Sequence, residues 1–365
     1  MSWSEQQQAA LKAVSKWVKD PTAKQIFTLF GYAGTGKTTL AKEIAASIPG
    51  VVLFGAFTGK ASLVLRSKGC TGASTIHSMI YKPPEDDDAN PTFVLNEDSD
   101  VRTASLVIID ECSMVDEELG RDLISFGTKI LVLGDPMQLP PIKGQGFFNT
   151  RSPDVMLTEI HRQAADNPII RMSLDVREGR GLTAGQYGDS KVIRRDQLAQ
   201  ADVLNADQVL VGRNRTRRNY NARIRQLKGF EGIFPQINDR LVCLRNKKDK
   251  QLLNGGIWTV KNVKMDAKSV VNMHVASNDD PSVKLPVEVD VPVEFFKGTE
   301  ESLNWRIRRE MEEFDYGYAL TVHKAQGSQW ATVMLFDESS AFPDTRRNHL
   351  YTALTRAADR VTVVI

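Results

Sequence analysis

Short apolar runs recur through the first 150 positions, near 25–30, 51–55, 105–110 and 129–134, with longer helix-forming stretches between them. Runs of that length bounded by turn residues read as strands, and strand alternating with helix reads as an α/β domain with a parallel sheet that binds ligands at the carboxyl ends of its strands. A second alternation starts near 155, breaks off near 230 and resumes from about 316 to the end, with strand candidates Gln208–Val211, Ala331–Phe336 and Arg360–Ile365. Between its halves the pattern changes to β-branched runs at Arg240–Leu244, Ile257–Val263, Ser269–Val275 and Val287–Val293. That block reads as a small β-barrel inserted into the second α/β domain. Tyr81 to Asp100 is acidic and proline-bearing, with Glu85, Asp86, Asp87 and Asp88 in a row, and reads as an exposed insertion. The expected domains are therefore 1–80 with 104–150, an insertion at 81–103, 151–235 with 316–365, and a β insertion at 236–315.

One turn between strand and helix carries recognisable chemistry. Gly31-Tyr32-Ala33-Gly34-Thr35-Gly36-Lys37-Thr38 follows the apolar run Ile26 to Phe30 and opens the helix-forming segment Leu40 to Ser47. This is a P-loop in its required context: glycines let the backbone wrap a polyphosphate, amide N–H groups and a helix N-terminus face the anion, Lys37 reaches the β/γ-phosphates, and Thr38 ligates Mg²⁺. Downstream, Ser105 to Ile109 ends in Asp110-Glu111, a Walker B pattern. Asp110 is positioned to hold Mg²⁺ and Glu111 to polarise the attacking water, because phosphoryl transfer needs positioning and charge neutralisation above all. ATP and Mg²⁺ are the expected cofactors.

Composition narrows the class without deciding it. At 365 residues, 41% hydrophobic and 25% charged, the chain is an ordinary globular protein long enough for two domains. Cys70, Cys112 and Cys243 have no paired spacing, so neither a disulfide framework nor a zinc cluster is expected. No apolar run approaches the ~20 residues that span a bilayer, and cytoplasmic, membrane-free residence is the expectation. Net charge is only +2, yet Arg213 to Lys228 holds seven basic residues and no acidic one. Such a run is either a tracker of a phosphate backbone or a solvated helix face.

Four further segments complete an ordered set: Gly134-Asp135-Pro136-Met137-Gln138-Leu139-Pro140-Pro141, Leu157-Thr158-Glu159-Ile160-His161-Arg162-Gln163, Thr321-Val322-His323-Lys324-Ala325-Gln326-Gly327 and Tyr351-Thr352-Ala353-Leu354-Thr355-Arg356. With the P-loop and Asp110-Glu111 they resemble the motifs of superfamily 1 DNA helicases. The resemblance is to the 5′→3′ branch of RecD-like and Dda-like enzymes, and the compact size favours the Dda-like, phage-encoded kind. It implies two RecA-like parallel-sheet domains in tandem with ATP in the cleft between them, a short pin hairpin inserted in the first and an SH3-like β-barrel in the second. Gln138 would sense the γ-phosphate, and Arg162 and Arg356 would act as arginine fingers. Gly34, Thr35, Gly36, Lys37, Thr38 and Thr39 would hold the nucleotide, with Gly327 approaching it by its backbone. His161 would stack on the adenine. Gln7 would read the adenine edge, although Ser4 with Gln7 also reads as a helix capping box.

For nucleic acid, the positions that match are Thr58, Lys60, Thr75, His77, Asn214 with the basic helix after it, Thr321 and His323. Hydroxyls, amides and cations of this kind hold a phosphate backbone without reading sequence, and each can instead serve as a local cap or core contact. Phe93 is the aromatic in the insertion able to stack on an end base pair; burial against the parent domain is its alternative reading. The resemblance implies single-stranded DNA and forked or 5′-tailed duplex as partners, replication or recombination proteins as further ones, and function as a monomer. An RNA helicase or ribonucleoprotein remodeller, and a P-loop switch without motor activity, are the competing classes.

Overall fold

The long apolar runs of the first half are strands, and their alternation shows why they are so uniformly hydrophobic. In β4, Leu106 and Ile108 enter one apolar cluster with Leu29, Leu40 and Leu131, while Val107 and Ile109 enter a second with Phe30, Ile76 and Leu123. A parallel sheet covered on both faces requires an apolar residue at every position, not at every second one. The computed structural model describes residues 3–82, 93–141, 146–149, 152–160, 166–266 and 269–365. They form two compact units: Met1–Phe57, Ala61–Ser190 and Phe342–Thr355 in the first, and Thr58–Lys60, Lys191–Ala341 and Arg356–Ile365 in the second.

The first unit holds β1 (Ile26–Gly31), β2 (Val52–Ala56), β3 (Ser74–Thr75), β4 (Leu106–Asp110), β5 (Ile130–Gly134) and β6 (Val155–Leu157), in the spatial order β3-β2-β4-β5-β1-β6. All of these pairings are parallel, with Leu29 opposite Leu133 and Gly55 opposite Ile109. The carboxyl ends of β1 and β4 carry the P-loop and Asp110, as strands on either side of β5. The helix Pro168–Arg177 packs on the helix Arg346–Leu354, so chain that the sequence boundaries placed in the second α/β domain clusters with the first unit.

After β7 (Gly185–Tyr187), which falls in chain counted with the first unit, the second unit's parallel sheet runs β15 (Ala319–Thr321), β9 (Gln208–Val211), β16 (Trp330–Phe336), β17 (Ala357–Val364), β8 (Ser190–Ile193). The insertion is a five-stranded antiparallel sheet of order β13-β12-β11-β10-β14, built from β10 (Arg240–Cys243), β11 (Ile257–Asp266), β12 (Val270–Ser277), β13 (Val287–Pro292) and β14 (Phe314–Tyr316). Among the described residues β13 and β14 end the sheet and do not pair with each other, so a barrel closed by that pairing is not formed. On β12, Val271, Met273 and Val275 are buried while Asn272 and His274 point away, the two-residue period of a half-covered sheet. Val260, Val289 and Phe314 of the insertion share one core with Val209, Val211 and Phe336 of the parallel sheet. The antiparallel sheet is thus anchored to its parent rather than carrying a separate core.

Candidate nucleotide site and nucleic-acid contacts

The P-loop takes its shape from two left-handed residues and a set of internal bonds. Gly34 and Gly36 both have φ of 79°, a region that costs little only without a Cβ, and Gly36 is the N-cap of the helix Lys37–Ser47. The Lys37 ammonium donates to the carbonyls of Gly31 at 2.6 Å and Tyr32 at 3.1 Å, and the Thr35 hydroxyl donates to Tyr32 O at 2.8 Å. Thr39, in the first helical turn, is exposed. Gln7 does two things at once: it completes the capping box with Ser4, and its Nε2 donates to the Thr35 carbonyl at 3.1 Å. The capping reading of Gln7 is therefore realised, together with a direct hold on the loop.

Opposite the loop, Asp110 and Glu111 lie at the end of β4. Thr38 Oγ1 donates to Asp110 Oδ2 at 3.3 Å, so a hydroxyl and a carboxylate converge as hard oxygen ligands. That donor set fits Mg²⁺, which takes oxygen ligands and is seldom caged by protein alone. Burial and the neighbouring Glu111 carboxylate push the Asp110 carboxyl above its ordinary range, and Lys37 pulls it back. Glu111 itself sits at φ 54°, a left-handed conformation uncommon outside glycine and typical of functional positions. Gln138 is buried, its Oε1 accepting from the Ser113 hydroxyl at 3.5 Å.

Residues not singled out by chemistry in the sequence organise this region. On the helix Arg346–Leu354, Tyr351 accepts from Ala33 N–H at 2.8 Å and donates to Asp135 Oδ2 at 2.7 Å, and Thr352 Oγ1 accepts from Leu139 N–H at 2.9 Å. Asn348 reaches the Gln138 carbonyl at 3.4 Å. Positions 348, 351 and 352 have the i, i+3, i+4 spacing of one helix face, the only signal that could have grouped them. Gln6 accepts from the amides of Thr158 at 2.9 Å and Glu159 at 3.1 Å, fixing the segment that leads to His161 and Arg162. The Arg177 guanidinium lies 3.9 Å from the centroid of the Tyr32 ring. His161 and Arg162 themselves lie outside the described residues.

Two expected nucleotide contacts belong to the second unit. Arg356 is 5% exposed, and its Nη1 donates to Ser328 O at 3.2 Å. Gly327, with φ 73°, lies in the turn after Thr321-Val322-His323.

Comparison with known proteins identifies the family. A family model described as an AAA domain matches residues 2–197, and one described as a UvrD-like helicase C-terminal domain matches residues 316–364. The ATP-dependent RecD2 DNA helicase of Deinococcus radiodurans is 29% identical over 368 positions, covering 92% of this chain and 46% of the relative. The ATP-dependent DNA helicase dda of Enterobacteria phage T4 is 34% identical over 193 positions, covering 48% of this chain and 43% of the relative. The chain belongs to the superfamily 1 helicases of the RecD and Dda branch. It spans a little under half the length of those two relatives. In fold it is similar to Bacteroides Pif1 bound to ssDNA, with a TM-score of 0.60 at 18% identity over 99% of this chain and 92% of that one. Pif1 helicase from Candida albicans gives 0.55 at 19% identity, over 100% and 94%. Among the described residues no helix is long and apolar enough to cross a membrane.

The expected strand contacts of this helicase-family chain fall into distinct groups. Lys60 pairs with Asp279 at 2.7 Å with only 9% of its side chain exposed, so it does not offer its ammonium to a backbone phosphate in this arrangement. Thr58, beside it, is half-buried. Thr75 is the N-cap of Ile76–Ile80, accepting from Ser78 N–H at 3.2 Å, and Thr321 accepts from Lys324 N–H at 3.3 Å, so both act as local caps. His323 is half-buried, and burial lowers its pKa. Asn214 opens the helix Asn214–Leu227 at its exposed end. A remote carboxylate satisfies that helix start: Glu338 accepts from Gly212 and Arg213 N–H at 2.8 and 3.0 Å and from the Thr216 hydroxyl.

The basic run on that helix divides in two. Arg217 is buried against Asp315, and Arg225 is buried with Asp239, donating also to the carbonyls of Gly232 and Phe234. These two are structural, because a buried guanidinium persists only when its charge and its donors are met. Arg213, Arg215, Arg218, Arg223 and Lys228 remain exposed. In the first unit, Phe93 is 63% exposed, which rules out the core reading. Its ring stacks on Tyr81 at 4.9 Å and lies 5.3 Å from His77, itself 5.9 Å from Phe57. The insertion leaves and returns as an antiparallel pair, with Tyr81 bridged to Leu95 and Lys82 N–H donating to Val94 O at 2.8 Å; its acidic run, Glu85 to Asp88, lies outside the described residues.

Proposed function

We propose that the chain is an ATP-dependent, 5′→3′ single-stranded DNA translocase and helicase. The observation that carries this reading is the convergence of Lys37, Thr38, Asp110 and Glu111 at the carboxyl ends of β1 and β4, in a chain of the RecD and Dda branch. Loop amides and Lys37 hold the polyphosphate, and Thr38 and Asp110 hold Mg²⁺, which supplies charge neutralisation at the phosphates. Glu111 orients and polarises the attacking water. Gln138 reports on the γ-phosphate, and Arg162 and Arg356 act as arginine fingers on the charge that develops in transfer. Gln7 and His161 would bind the adenine and Gly327 the phosphates.

The substrate part of the proposal draws on the relatives named as DNA helicases and on the exposed cations and aromatic rings. Stimulation of ATP hydrolysis by DNA and RNA oligomers of one sequence tests it. Strong stimulation by DNA and weak stimulation by RNA is expected; the reverse would make the protein an RNA-directed enzyme.

Phe93 and the hairpin that bears it are proposed as the pin that meets the duplex. Separating strands needs a rigid aromatic surface at the fork, whereas hydrolysis on a single strand does not. Phe93→Ala should lower unwinding several-fold while strand-stimulated hydrolysis persists and the melting temperature stays close to that of the parent protein. Equal loss of both activities would remove Phe93 from that role.

A further inference from the structure

The turn that carries Gln138 is built by Asp135, whose Oδ1 accepts from Met137 N–H at 3.0 Å and whose carbonyl accepts from Gln138 N–H at 3.1 Å. The second carboxylate oxygen of Asp135 receives the Tyr351 hydroxyl, and the same hydroxyl accepts Ala33 N–H from the P-loop. One phenol oxygen therefore joins the loop that would hold the phosphates to the turn that would sense them. Tyr351 is 1% exposed and Asp135 3%, so water does not substitute for either bond. Thr352 and Asn348, on the same helix face, bind the backbone of Leu139 and Gln138 and fix the far side of that turn. Two residues past the end of this helix comes Arg356, where the chain enters the second unit.

We propose that Tyr351 is a positioning residue for hydrolysis, holding Gln138 in register with the P-loop through Asp135 and Ala33. The proposal rests on the ATPase reading of Gln138. Packing of the ring does not require the hydroxyl, and a buried phenol could have been phenylalanine at no cost in shape; the hydroxyl is used for two bonds to two motifs. Burial pushes the Asp135 carboxyl up, while Lys37 and the Tyr351 hydroxyl pull it down, so the hydroxyl also favours the charged form that accepts Met137 N–H.

The experiment compares Tyr351→Phe, Gln138→Ala and the double variant in strand-stimulated ATP hydrolysis, with strand affinity and melting temperature measured alongside. Tyr351→Phe keeps the ring and removes only the oxygen. Its kcat should fall about 10-fold with KM for ATP and single-strand affinity unchanged, the signature of an interaction that matters in the transition state. In the Gln138→Ala background the same change should cost little more, because the residue it positions is gone. Full kcat in Tyr351→Phe, or a loss that multiplies with that of Gln138→Ala, overturns the positioning role. A loss in melting temperature without a change in kcat overturns it too, leaving Tyr351 structural. A normal kcat in Gln138→Ala removes the sensor reading itself, and the positioning role falls with it.

Discussion

Lys37→Ala should reduce ATP hydrolysis to background, with or without single-stranded DNA, while strand binding survives within about a factor of two. Among the described residues the Lys37 ammonium hydrogen-bonds to the carbonyls of Gly31 and Tyr32, within its own loop, and it belongs to neither apolar cluster of the first unit. Its removal takes away the phosphate cation and leaves the fold and the exposed cations of the second unit in place. Steady-state phosphate release and the anisotropy of a labelled oligonucleotide measure the two properties. Substantial stimulated hydrolysis by a well-folded Lys37→Ala protein contradicts the assignment of the P-loop as the hydrolytic site.

Arg356→Ala should lower the maximal hydrolysis rate by ~10³-fold or more with little loss of ATP binding, as loss of an arginine finger does. At 5% exposure Arg356 is not a solvated surface side chain. A guanidinium kept out of water and bonded to the Ser328 carbonyl is held in place. Arg356→Lys serves as the companion variant: it keeps the charge and loses the planar fork, so it should recover only a fraction of the rate. Arg162→Ala carries the same expectation. Single-turnover hydrolysis with separate measurement of nucleotide affinity distinguishes this from a binding defect, and near-parental turnover in either variant removes that arginine from the chemistry.

What the sequence could show follows from element length and from locality. The strands β1, β2, β4 and β5 were legible because a two-sided buried sheet writes itself as an apolar run, and β10 to β13 because β-branched residues crowd there. β3 has two residues, and β6, β14 and β15 have three each, too short for any period to register. The P-loop and the Asp110-Glu111 pair were legible because their chemistry is local in the chain.

Contacts made across long separations were not. Tyr351 stands 318 residues from Ala33 and 216 from Asp135, and nothing in its neighbourhood announces either partner. Reading the arginine-rich helix by charge alone missed its helical phase. Arg217, Asn221, Ile224 and Arg225 are buried, at the i, i+4, i+7, i+8 positions of an inward stripe. Lys60 shows the same limit: its partner Asp279 lies in the bend after β12 of the insertion, 219 positions away by number, and a cation in a helicase-like motif gives no hint of it.

Unwinding of short duplexes with a single-stranded tail of defined polarity tests the central claim most directly, because it needs hydrolysis, a strand track and direction at once. A duplex with a 5′ tail should be separated in an ATP-dependent manner, with a 3′-tailed duplex and a blunt duplex left largely intact, since a track for one strand must first be loaded. Preferential separation of the 3′-tailed duplex would contradict the 5′→3′ assignment, and no separation of any duplex by a protein that hydrolyses ATP on single strands would contradict the helicase reading itself.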